Sequence, residues 1–72
     1  MYRLRVKEVI EEQGKTVGWV ARKAGLSDSV VRRMVKDPGY MPQVNTIMQV
    51  ARVLKCRVED LVEYIPDENE VE

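Results

Sequence analysis

Histidine and phenylalanine are absent from this 72-residue chain, cysteine occurs once, at Cys56, and no apolar run is long enough to cross a bilayer. Each absence removes a class of function. Without imidazole the chain lacks the side chain on which most acid–base catalysis relies, and one cysteine cannot complete a zinc site of Cys and His ligands. Neither an enzyme nor a bound cofactor is expected. A single thiol closes no internal disulfide, which suits a reducing compartment, so a cytoplasmic location is expected. Cys56 itself reads as a small core residue. Met1 to Ile10 alternates charged with apolar side chains too closely for a signal peptide, so a soluble protein with no membrane contact is expected.

What is present suits one small folded domain. Apolar residues make up 44% of the chain and charged residues 33%, enough hydrophobic content for a core and too much for a disordered polyelectrolyte. The formal net charge of +0 hides a segregation of sign. Residues 1–57 hold all twelve Lys and Arg with five acids, a net of +7, and residues 58–72 hold the other seven acids and no base. A basic body with an acidic tail points to a polyanionic partner in spite of the neutral total. The expected division is a domain over residues 1–65 and an acidic, disordered tail over 66–72.

Spacings of three and four dominate the apolar pattern, and strict alternation is rare, so the fold class expected is all-α. A first helix is predicted over Tyr2–Gln13, with Val6, Val9, Ile10 and Gln13 inward and Gly14 at its C-terminal cap. Thr16 caps a second helix, Val17–Ala24, which Gly25 stops. Ser27 caps a third, beginning at Asp28 and ending near Lys36, with Val31 and Met34 inward. Asp37-Pro38-Gly39-Tyr40-Met41-Pro42 reads as a loop. The fourth helix, Gln43–Leu54, has its apolar stripe at Val44, Ile47, Met48, Ala51 and Leu54. A fifth, Val58 to Tyr64, offers Val58, Leu61, Val62 and Ile65 before Pro66 closes it.

Two short helices joined across a glycine, the second rich in arginine, form a helix-turn-helix pattern. Ala21 is small enough for close helix approach, Gly25 accepts the left-handed turn, and Val20, Leu26, Val31 and Met34 anchor both helices. That leaves Asp28, Ser29, Arg32, Arg33 and Lys36 on the open side of the third helix, a rod of the width that a DNA major groove admits. Arginine presents a fork to guanine, Asp28 an acceptor to cytosine, and Ser29 serves base or phosphate. The helix N-termini at Thr16 and Ser27, with Lys15 beside them, suit phosphate.

The pieces VARKAGLS, MPQVNTIMQVARVLK and VEDLV follow one another at the spacing of a known family. Nearly the whole chain resembles the phage repressor and Cro type of helix-turn-helix domain, the XRE family. The resemblance implies a compact five-helix, lambda-repressor-like fold and a transcription regulator, often a repressor, that binds palindromic double-stranded DNA operators as a homodimer. By position it places base readout on Asp28, Ser29 and Arg33, flanked by Arg32, and phosphate contacts on Val17, Lys36 and the loop after the third helix. The family's frequent glutamine at the start of the second helix is Val17 here, leaving only a backbone N–H. Its usual glutamate closing the recognition helix is Val35, and its Asn-Gly turn is replaced by Asp-Pro-Gly-Tyr.

Other readings of single residues stay open at this level. Trp19 either caps the core between the first two helices or forms part of a dimer or partner surface. Tyr40 either contacts phosphate or closes its loop against the body. Gly18 either admits a second backbone or is merely tolerated in its helix. A rival reading of the whole chain is an antitoxin-like or adaptor module that binds a protein through the same fold.

Overall fold

The computed structural model describes residues 1–66, which contain five helices in the expected order. They are α1 (Val6–Glu12), α2 (Val17–Ala24), α3 (Asp28–Lys36), α4 (Val44–Val53) and α5 (Val58–Leu61). Helices α1, α2 and α4 end in the same backbone device. After α1, Gly14 N–H donates to Glu11 O and Lys15 N–H to Ile10 O; after α2, Gly25 N–H donates to Arg22 O and Leu26 N–H to Ala21 O. After α4, Lys55 N–H donates to Arg52 O and Cys56 N–H to Ala51 O. Each is a Schellman motif, which satisfies orphan carbonyls by turning one residue into the left-handed region. Gly14 and Gly25 take that turn at φ 67° and 70°, where glycine carries no Cβ penalty. Lys55 takes it at φ 55° without that exemption. A lysine there costs roughly 1 kcal/mol relative to glycine.

The two ends of the domain depart from the expected helices. Tyr2–Leu4 is a strand, β1, rather than the first turns of a helix reaching Gln13, and Val62–Tyr64 is a strand, β2, rather than the end of a helix reaching Tyr64. They pair antiparallel, Tyr2 opposite Tyr64, Arg3 opposite Glu63 and Leu4 opposite Val62. The physical reason is mutual: each tripeptide could extend the helix it adjoins, but paired across the chain each completes the other's backbone hydrogen bonds, and that tertiary contact overrides the local helical spacing. Leu4 faces inward and is buried, while Arg3 outside reaches Glu63 Oε1 at 3.1 Å. An exposed pair of that kind adds at most about 1 kcal/mol. No helix among the described residues is long and apolar enough to cross a membrane. Residues 67–72, most of the expected acidic tail, lie outside the described residues.

The core draws one stripe from each helix. Val6, Val20, Val31, Met34, Val50, Leu54 and Leu61 are fully buried, joined by Leu4, Val9, Ile10, Ala21, Ile47 and Ala51. Among the described residues no polar side chain is buried, so the interior is held by apolar area and shape. The stripe of α4 is rotated from its expected position: Ile47, Val50, Ala51 and Leu54 face inward, and Val44 and Met48 are exposed. Both stripes fit a period of 3.6, and the packing of α4 on α2 selects the one containing Val50. Val58 and Ile65, expected inward, are exposed, and Val62 packs half-buried against the core. Gln13, also expected on the inner face, has an exposed side chain whose amide donates to Leu54 O at 2.7 Å, fastening the end of α1 to the end of α4.

Gly18 is an ordinary helical position. A Cβ there would meet nothing nearer than the Arg22 guanidinium at 3.7 Å, an ordinary contact. Gly18→Ala is expected to stabilise the fold by about 0.5 to 1 kcal/mol in urea titration. Gly25→Ala meets no steric obstacle but inherits the left-handed turn, and it is expected to destabilise by about 1 kcal/mol in the same assay.

Candidate nucleic-acid interface

The segment from α2 to α3 is set by local chemistry before any tertiary contact. Thr16 Oγ1 accepts from Trp19 N–H at 3.1 Å, and Ser27 Oγ accepts from Val30 N–H at 3.4 Å, so both expected caps are in place. Between them the Gly25 turn ends α2, and Leu26 packs half-buried against the core. Helix α3 then lies on α1 and α2, pinned by Val31 and Met34.

This anchoring decides what α3 presents. Asp28, Ser29, Arg32, Arg33 and Lys36 are all exposed, with Asp28 in the first turn and Lys36 in the last, each of the sign that the helix dipole favours. Val35 is half-buried against the core and so belongs to the anchoring side. The first-turn N–H groups of α2 and α3 that the caps leave unmatched give each N-terminus a positive character. Val17 packs its side chain on the core, leaving its main chain as the only polar group it can offer there.

Tyr40 meets Arg33, which the sequence did not indicate. The guanidinium carbon of Arg33 stands 4.4 Å from the centroid of the Tyr40 ring, within cation–π range. Tyr40 is held for this contact by its loop. Its N–H donates to Asp37 O at 3.0 Å, and Asp37 Oδ1 accepts from Gly39 N–H at 3.2 Å, an Asx-type turn. The loop is in turn tied to β1: Leu4 N–H donates to Pro38 O at 2.8 Å, and the Tyr2 hydroxyl donates to Gly39 O at 3.3 Å. An exposed arginine that would otherwise sample many rotamers is thus stacked on an aromatic ring of limited freedom. Lys15, expected at phosphate, has its ammonium 4.5 Å from the centroid of the Trp19 ring.

The comparisons with known proteins agree with this geometry. The profile of the Cro/C1-type HTH DNA-binding domain matches residues 5–67. The chain belongs to the Cro/C1-type helix-turn-helix family. Within that family's fold, a crystal structure of "a putative DNA-binding protein from Bacteroides fragilis" aligns with a TM-score of 0.77 and 25% sequence identity, covering 88% of this chain and 100% of that chain. No curated protein gives a significant sequence match. The Cro/C1-type assignment bears out the five-helix fold expected from the sequence, with the β1–β2 ribbon added to it.

Cys56 is half-buried after the α4 turn and packs against the core. Burial raises its thiol pKa above the ordinary value, and the nearby Asp60 carboxylate raises it further. Both effects reduce the thiolate fraction at any given pH, so alkylation by iodoacetamide at pH 8 should run slower on the folded chain than on the chain in urea. Equal rates in the two states would contradict this assignment.

Proposed function

We propose that this Cro/C1-type domain is a sequence-specific transcriptional regulator that places α3 in the major groove of double-stranded DNA. The observation that carries the reading is the division of α3 into two faces: Val31 and Met34 fully buried, Arg32 and Arg33 exposed opposite them. Arg33, steadied by Tyr40, and Arg32 present guanidinium forks to guanine O6 and N7. Asp28 and Ser29, in the first turn of α3, take the flanking base edges. Lys36, Lys15, Tyr40 and the main chain at Thr16, Val17 and Ser27 meet phosphates, which supply much of the affinity and fix the register. The function is binding, with no catalytic step.

One domain of this size offers a small contact area for discrimination, so two copies act together on a palindromic operator. Their α3 helices then read half-sites about one helical turn apart. The family membership and the Bacteroides fragilis neighbour support the DNA partner; the operator symmetry and the dimer are our extension of it.

Three substitutions separate the assigned roles. Arg33→Ala should lose discrimination at one or two base pairs, by roughly 1 to 3 kcal/mol each, when selected and mismatched duplexes are compared by anisotropy titration. Lys36→Ala should weaken all duplexes alike and lower the slope of log affinity against log salt by about 1. Tyr40→Leu should reduce the same discrimination as Arg33→Ala, to a smaller extent, because the guanidinium remains but is no longer stacked. A wild-type chain with no salt-dependent affinity for any duplex would defeat the DNA-binding reading as a whole.

A further inference from the structure

Neither Trp19 nor Lys23, Arg52 and Lys55 near it has a part in the proposed DNA contacts; of the cations around the indole only Lys15 does. Trp19, half-buried in the first turn of α2, stands between two open depressions on the side of α2 that packs against α4. One has a volume of about 540 Å³ and carries Lys23 and Arg52; the other, of about 440 Å³, carries Lys15. Trp19 and Lys55 border both, so the two form one groove that no acidic residue lines. The Lys15 and Lys23 ammonium groups stand 4.5 and 5.9 Å from the centroid of the Trp19 ring. Among the described residues the ion pairs are Arg3 with Glu8 and Glu63, and Arg57 with Glu59, so none of the four groove cations is neutralised.

Lys55 is a second and independent observation. Lys55 is the only non-glycine residue at positive φ among the described residues, occupying a turn for which this chain uses glycine after α1 and α2. Glycine would be easier there and would remove an ammonium from the middle of the groove. A lysine held against backbone preference, with its side chain in an unpaired cationic cleft, points to a ligand that needs the charge.

We propose that the Trp19 groove binds an acidic, extended segment of a partner polypeptide. The groove follows the last turn of α4 from Gln49 to Val53, about 6 Å at the helical rise, and continues past it to Lys55 in the turn that follows. Same-side residues of an extended chain are about 7 Å apart, so carboxylates at positions i and i+2 both fall within its length. The indole and Val53 supply apolar surface for the stem between the charges. A duplex is a poorer fit: its phosphates line a convex rod, whereas this groove is a recess against α4, and α3 packs instead on α1 and α2. The inference goes beyond the DNA-binding reading and does not depend on it.

Trp19 is the sole tryptophan, so its emission reports the groove alone. The titrant is acetyl-Glu-Val-Glu-Val-Glu-amide at low ionic strength, with the Gln-Val-Gln-Val-Gln analogue as control. The chain carries Asp67→Asn, Glu68→Gln, Glu70→Gln and Glu72→Gln so that the acids of residues 67–72 do not compete. The expected result is a saturable change with the acidic peptide only, suppressed by salt, weakened about two- to fivefold by Lys55→Gly, and abolished by Lys23→Glu with Arg52→Glu. Lys55→Gly relieves the backbone, so its urea midpoint should rise while peptide affinity falls; no merely structural role produces that combination. Tighter peptide binding by this chain than by the wild type would identify the chain's own acids as a competing occupant of the same class and support the proposal. Equal response to the glutamine analogue, no response, or no effect of these substitutions overturns it. In an Arg32→Ala, Arg33→Ala background the peptide response should persist even if DNA binding is lost; displacement of the peptide by random duplex there would reassign the groove to nucleic acid.

Discussion

The fit of α3 against α1 and α2 is the constraint on which the other features depend. Val31 and Met34 lie on one side of a nine-residue helix, and burying both fixes its rotation. With the rotation fixed, no arginine of α3 can reach the core, and none has to be held out by a specific bond. Ala21 in the crossing helix is fully buried, and a larger side chain there would push α3 away and undo both effects. The presentation of charge on one face is therefore a packing result, obtained from apolar contacts on the other.

Local devices carry the connections and tertiary contacts carry the ends. The Schellman turns and the Thr16 and Ser27 caps use residues within a few positions of one another, and all but the turn at Lys55 can be read from the chain because glycine and hydroxyl side chains mark them. The helix-turn-helix was legible for that reason. So was the exposed set Asp28, Ser29, Arg32, Arg33 and Lys36, once Val31 and Met34 were placed inside. The motif pieces extended this to the family, which the profile match bears out.

What escaped the sequence reading has a common cause. The β1–β2 ribbon depends on residues about sixty positions apart, and neither Tyr2–Leu4 nor Val62–Tyr64 is long enough to show a period of its own. The rotation of α4 was misplaced because Val44, Met48 and Val50 are equally apolar, and only the neighbouring helix distinguishes them. The Arg33–Tyr40 stack is a contact across a loop whose course is set by bonds to β1. The groove at Trp19 joins α2 to the end of α4, and no spacing within either helix announces it. Lys55 carried no signal as a letter, since its meaning lies in its backbone angle.

The ribbon also has a thermodynamic place in the molecule. Closing it brings Met1 beside Ile65, the longest loop in the fold, and it contributes only Leu4 to the fully packed interior, with Val62 against its edge. Such an element opens by itself more readily than the helices do. Each opening would free Pro38 and Gly39, loosen the aromatic ring beneath the arginine, and let the guanidinium wander while the helical body stayed folded. Substitutions at Met1 or Arg3, which lie outside the core, would then change how tightly the Arg33 guanidinium is held and leave the melting temperature nearly unmoved, whereas Leu4 would move both.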